Sequence, residues 1–131
     1  MPSKLTLRLE LFVTDLDVSI RFYEQTLGFR LQRRDPDYAS LVRGSVVLGL
    51  GPIAKLPAAG PGPGFTQARL ERDRGAGVEI VLEVDDLDAE LERVARSGHA
   101  LAEPPRQRPW GLRDFRIADP DGYYLRVTTI G

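Results

Sequence analysis

The chain has 131 residues, 42% hydrophobic and 28% charged, the proportions of one soluble globular domain. Its net charge of -1 excludes a basic field that would attract nucleic acid, and the lack of cysteine excludes disulfides, thiolate metal centres and cysteine nucleophiles. It has neither an apolar run of about 18 residues nor a signal-peptide core, so the expected compartment is the cytoplasm, with no membrane partner.

Residues 5–13 (LTLRLELFV) alternate apolar and polar, the period of a strand with one buried face. Leu7, Leu9, Leu11 and Val13 share that face, and Arg8, Glu10 and Phe12 share the other. Asp15 is a good helix N-cap, after which Leu16, Ile20, Tyr23 and Leu27 recur at helical spacing and Gly28 suits the closing turn. Residues 29–34, 38–43 and 45–50 read as three short strands, with a hairpin near Arg43-Gly44.

Residues 51–77 contain the Pro/Gly run 59–64 and are too irregular for a tight connection. They are expected to form a crossover, partly mobile, with the makings of a lid. Their glycines match neither a dinucleotide nor a phosphate loop. Residues 78–84 alternate again, Ile80, Leu82 and Val84 against Glu79, Val81 and Glu83. Asp86 caps a second helix (Leu87, Leu91, Val94) that ends at Gly98. A stretch broken by proline, 100–109, leads to a strand at 113–118. The turn Asp119-Pro120-Asp121-Gly122 precedes a last strand at 123–130.

Val13-Thr14-Asp15-Leu16-Asp17 returns 71 residues later as Val84-Asp85-Asp86-Leu87-Asp88. The chain is therefore built twice from one βαβββ unit. The expected fold is α+β, two tandem βαβββ modules making a curved mixed sheet around a cavity. One domain spans 1–131, with modules at about 4–50 and about 77–131 and the crossover at about 51–76. Helices must cover the Leu7/Leu9/Leu11 face, so the opposite face lines the concave side. The repeat matches Arg8 with Glu79, and aligning Gly44 with Gly122 matches Leu48 with Arg126. Tyr124 alternates with Arg126 and shares its face. Tyr23 reads as core, Trp110 and Phe115 as core or cavity wall. The single histidine, His99, reads as a surface residue with no orienting partner. Arg33-Arg34 and residues 69–74 read as solvated charged faces.

The phrases VTDLDVSIRFYEQTLGF, VEIVLEVDDLDAEL, RPWG and DPDGYYLRVT resemble the vicinal oxygen chelate superfamily of glyoxalases, bleomycin resistance proteins and extradiol dioxygenases. In its metal-dependent members, His, Gln or Glu ligands stand at the positions of Arg8, Leu48, Glu79 and Arg126. Of these only Glu79 can ligate here, because Leu48 has no lone pair and guanidinium has no acceptor. A cation held beside guanidinium at ~4 Å meets a repulsion of roughly 4 kcal/mol per unit-charge pair at a dielectric near 20, doubled for a dication.

The resemblance is closest to the metal-free bleomycin resistance-type proteins, which carry Arg after DPDG, as Arg126 does, and a Trp-Gly like Trp110-Gly111. It implies no cofactor, no metal and no catalytic residue. It also implies a homodimer that sequesters a hydrophobic or aromatic natural product. Phe12, Tyr38, Phe65 and Trp110 are the stacking candidates; Arg8, Glu10, Leu48, Glu79, Glu83, Tyr124 and Arg126 complete the expected ligand-binding set. Arg126 either pairs with Glu79 or Glu83 or contacts ligand, and the two are compatible. Near-balanced pocket charge fits a flat polycyclic or phenolic ligand better than a strongly cationic drug. Two alternatives stay open: a metal-dependent glyoxalase-like lyase, isomerase or dioxygenase, and a metal-free enzyme using Glu10 or Glu79 as base.

Overall fold

The computed structural model describes residues 5–61, 64–71 and 74–130. Residues 62–63 of the Pro/Gly run, 72–73 of the charged stretch, and the chain ends 1–4 and 131 lie outside the described residues. The first module contains β1 (Arg8–Val13), α1 (Leu16–Gln25), β2 (Arg30–Asp35), β3 (Tyr38–Arg43) and β4 (Val46–Pro52). The second contains β5 (Ile80–Val84), α2 (Leu87–Ser97), β6 (Glu103–Gln107), β7 (Arg113–Ala118) and β8 (Tyr124–Thr129). They form two four-stranded mixed sheets, ordered β1-β4-β3-β2 and β5-β8-β7-β6. The fold is α+β.

Local chemistry sets the repeat. Asp15 accepts a hydrogen bond from the Val18 amide (3.2 Å) and Asp86 one from the Ala89 amide (3.1 Å), so the same side chain starts both helices. Gly98 ends α2 in the left-handed region at φ 77°, a backbone conformation that strains any residue with a side chain. The stripe Leu16, Ile20, Tyr23, Leu27 is buried against the first sheet, as are Leu87 and Val94 in the second module. Leu41, Leu48, Leu50, Phe115, Ile117 and Leu125 reach 0% exposure in one shared core. Complete burial of one such side chain contributes about 1.5–3 kcal/mol.

The modules are locked by polar contacts from the Asp119–Gly122 turn. Tyr23 Oη donates to Asp119 Oδ2 at 2.7 Å, and the Thr14 amide and hydroxyl donate to Asp121 Oδ1 at 2.9 and 2.6 Å. Burial first, then the Asp119 charge, pushes the Tyr23 hydroxyl well above the usual tyrosine range. Glu90 of α2, itself buried, takes Arg43 from β3 of the first module and Arg93 from its own helix.

Leu7 precedes β1 and is 74% exposed, so the apolar face is half-buried at Leu9 and buried from Leu11. The proline-broken stretch supplies the strand that the second βαβββ unit requires, β6, because a sheet edge tolerates residues that cannot donate on the open side. The described crossover is tied down: Gln67 Nε2 donates to the Leu56 carbonyl (2.9 Å), and Arg74 pairs with the buried Asp121. Among the described residues no helix is long and apolar enough to cross a membrane.

Candidate functional site

Among the described residues the first strand of each module is paired on one side, β1 with β4 and β5 with β8. Between these two edges lies a cavity of about 270 Å³, lined chiefly by Leu9, Phe12, Phe65, Ile80, Tyr123 and Tyr124, with Glu10. Phe65 comes from the crossover and lies on Phe12, ring centroids 4.4 Å apart and tilted 42°. Tyr123 Oη donates to the Phe12 carbonyl at 2.8 Å and fixes β1 against the second module. The expected Phe12, Phe65, Glu10 and Tyr124 are thus brought together in an apolar seam.

Beside the seam, each module carries one carboxylate shared by a tyrosine and an arginine. Tyr38 Oη lies within hydrogen-bond distance of both Glu10 oxygens (2.9 and 3.0 Å), and Arg8 Nη2 is 3.0 Å from Glu10 Oε1. In the second module Tyr124 Oη donates to Glu79 Oε2 at 2.8 Å and Arg126 Nε to Glu79 Oε1 at 3.1 Å. The Tyr124 hydrogen bond, joined by Arg126, outweighs the opposing effect of burial and holds the Glu79 carboxyl below the usual range. Partial burial, then the neighbouring carboxylates, raises both tyrosines.

Arg126 also reaches Asp114 (3.4 Å), a fully buried carboxylate that accepts from Arg108 Nε at 2.8 Å. Burial alone would raise Asp114; Arg108 and then Arg126 outweigh it and hold the carboxyl down. Glu103, which takes Arg108 at 2.5 Å and Arg116 at 3.2 Å, is lowered first by the Arg108 hydrogen bond.

Leu48 is a correction. Its 0% exposure places it in the helix-facing core, in register with Leu9 and Leu41. Arg126 pairs with Val81, the repeat counterpart of Glu10, and Glu10 pairs with Gly49. The true match of Arg126 is therefore Gly49. The β3–β4 turn is tighter than the β7–β8 turn, so aligning their glycines slips the register by one residue and flips the side chain to the other face.

Other candidates fall outside the seam. Glu83 lines a separate open groove of about 650 Å³, between β5 and the β3–β4 hairpin. Trp110 stands 59% exposed in the β6–β7 loop and lines neither cavity. Phe115 is core and Tyr23 is core. His99 is not a plain surface residue: its ring packs edge-on against Phe22 (4.7 Å) and its Nε2 bonds the Ala118 carbonyl at 2.8 Å. Asp114, Arg116, Arg108, Glu103 and Gly49 were missed as site residues. The alternation of Asp114 and Arg116 with Phe115 and Ile117 carried the signal for two of them.

A catalytic dication does not fit these residues. Glu79 and Glu10 are each engaged by an arginine and a tyrosine, and Gly49 and Arg8 supply no ligand atom. Among the described residues no group of three or more His, Cys, Asp or Glu is placed to hold a metal ion.

The family model for the glyoxalase/bleomycin resistance protein/dioxygenase superfamily matches residues 6–127. Among solved structures, TioX from Micromonospora sp. ML1 is similar at 23% identity and TM-score 0.76, covering 96% of this chain and 98% of that one. A glyoxalase/bleomycin resistance protein/dioxygenase from Nocardioides is similar at 25% identity and TM-score 0.69, covering 98% and 85%. Lactoylglutathione lyase from Agrobacterium tumefaciens is similar at 20% identity and TM-score 0.72, covering 98% and 95%. No curated protein sequence matches.

Proposed function

Because the chain belongs to the glyoxalase/bleomycin resistance protein/dioxygenase superfamily, a scaffold hosting several chemistries, we propose its function from the site itself. The protein binds and sequesters a small aromatic or polycyclic natural product without a metal, as in antibiotic resistance or self-resistance. The observation that carries this reading is the Phe12–Phe65 stack on an apolar seam whose neighbouring carboxylates are already neutralised by Arg8, Arg126 and two tyrosines. Such a site offers surface for stacking and no electrophile for bond breaking. Each aromatic pair adds about 0.5–1.5 kcal/mol beyond area burial. The mechanism is stoichiometric: free ligand falls, and the ligand leaves unchanged.

A cavity of about 270 Å³ is just below the usual range for drug-sized ligands, roughly 300–1,000 Å³. A homodimer in which a second copy extends the seam supplies the remainder, and the exposed Phe65 and Trp110 are the aromatic groups available for it. The test is a melting-shift screen of flat polycyclic and phenolic natural products. A saturating hit at about 100 times its Kd stabilises by roughly 2.7 kcal/mol. Phe65→Ala is expected to lose at least tenfold in affinity, with the wild-type ligand recovered chemically intact. Recovery of an altered product would replace sequestration with turnover.

A further inference from the structure

We propose that Arg116, backed by Arg126, receives an anionic group of the ligand, which makes the ligand class an aromatic carboxylic acid. This rests on the seam reading above and adds a charge requirement to it. In register across the second sheet stand Val81, Arg126, Arg116 and Glu103. Arg116 and Arg126 are thus directly opposite in an antiparallel ladder, a placement that costs stability unless anions separate the charges.

The anions present are unevenly shared. Arg126 is committed to Glu79 and Asp114, and Arg108 to Asp114 and Glu103. Among the described residues Arg116 reaches Glu103 alone, through Nε at 3.2 Å, in a geometry that makes no hydrogen bond. Its Nε is buried and unpartnered among the described residues. Glu103 meanwhile is shared with Arg108 at 2.5 Å and Arg106 at 3.8 Å. Of the three guanidinium groups Arg108, Arg116 and Arg126, Arg116 is therefore the least satisfied, with a planar fork of donors suited to a carboxylate.

Arg116 also adjoins the aromatic slot. Its Cζ lies 5.9 Å from the centroid of the Tyr124 ring, and Tyr124 lines the seam cavity. A flat ring stacked in the seam beside Tyr124 would carry an acidic substituent towards Arg116. A cationic substituent would find Glu79, Glu103 and Asp114 already engaged.

The probes are 2-naphthoate and its uncharged isostere 2-naphthamide, titrated calorimetrically into the wild type, Arg116→Gln and Arg116→Lys. The wild type is expected to bind naphthoate about tenfold more tightly than naphthamide, with the excess shrinking as salt rises. Arg116→Gln should weaken naphthoate about tenfold and leave naphthamide within twofold; Arg116→Lys should keep part of the preference. Should a variant fail to fold, the wild-type naphthoate/naphthamide ratio and its salt dependence decide alone. Equal wild-type affinities, or equal losses in Arg116→Gln, overturn the anion site while leaving the seam reading intact. Binding of neither probe overturns both.

Discussion

The two halves of the concave face share one backbone plan and differ at its centre. Across the first sheet the residues in register are Glu10, Gly49, Ser40 and Arg33; across the second they are Val81, Arg126, Arg116 and Glu103. The first half is hollow, with Gly49 and Ser40 in the middle and a recess of about 350 Å³ lined by Arg8, Gln32, Arg33 and Ser40. The second is filled by guanidinium groups around the buried Asp114. A repeat therefore supplies matched positions, and side-chain volume and charge decide which half is receptacle and which is wall.

The energetic consequence separates the halves most sharply. Asp114→Ala would leave Arg108 and Arg126 without their buried counter-ion and should cost about 3 kcal/mol in denaturant unfolding. Glu10→Ala, which removes a half-exposed ion pair, should stay within about 1 kcal/mol. Equal losses would erase the distinction between filled and hollow halves.

Filling the hollow half is the next largest change. A Cβ on Gly49 would overlap the Glu10 carboxylate and the Tyr38 hydroxyl, so Gly49→Ala must push both aside. About 1 kcal/mol of stability should be lost, and a crystal structure should show the Tyr38–Glu10 hydrogen bonds broken. A stabilised variant with those bonds intact would mean the recess is not shaped by Gly49.

Acid should sharpen the same contrast. Asp114, Glu79 and Glu103 have folded values below their ordinary ones, so their stabilisation is complete above about pH 4 and lost as pH falls through the lowered values. Asp119 has the opposite sign: burial raises it, and its protonation on acidification offsets part of the loss. Melting temperature should fall below about pH 4 more steeply in the wild type than in Asp114→Ala. The smallest expected effect is that of Arg116→Gln without ligand, within about 0.5 kcal/mol and towards greater stability, because it relieves the charge pair opposite Arg126.

Much of this was legible in the sequence. Alternation in β1 and β5, the caps Asp15 and Asp86, and the stripe from Leu16 to Leu27 follow from periods that burial enforces, so the repeat could be read directly; for Arg126 the sequence left Glu79 and Glu83 both open as partners, and the fold selects Glu79. What escaped depended on turn length and on contacts distant in sequence. One residue of difference between two hairpins hid Gly49 and misplaced Leu48. The network of Arg108, Glu103 and Asp114 needs β6 paired to β7, which two prolines in β6 obscured. His99 looked exposed because its partners Phe22 and Ala118 come from other elements.

The most direct test of metal-independent capture is one titration performed twice. A polycyclic ligand found by melting shift is bound first to protein as purified, then to protein stripped with a strong chelator. Kd should agree within about twofold, with no stoichiometric divalent metal in the starting sample. Contradiction would be binding or turnover that vanishes on stripping, returns with one added divalent ion, and is lost in Glu79→Ala.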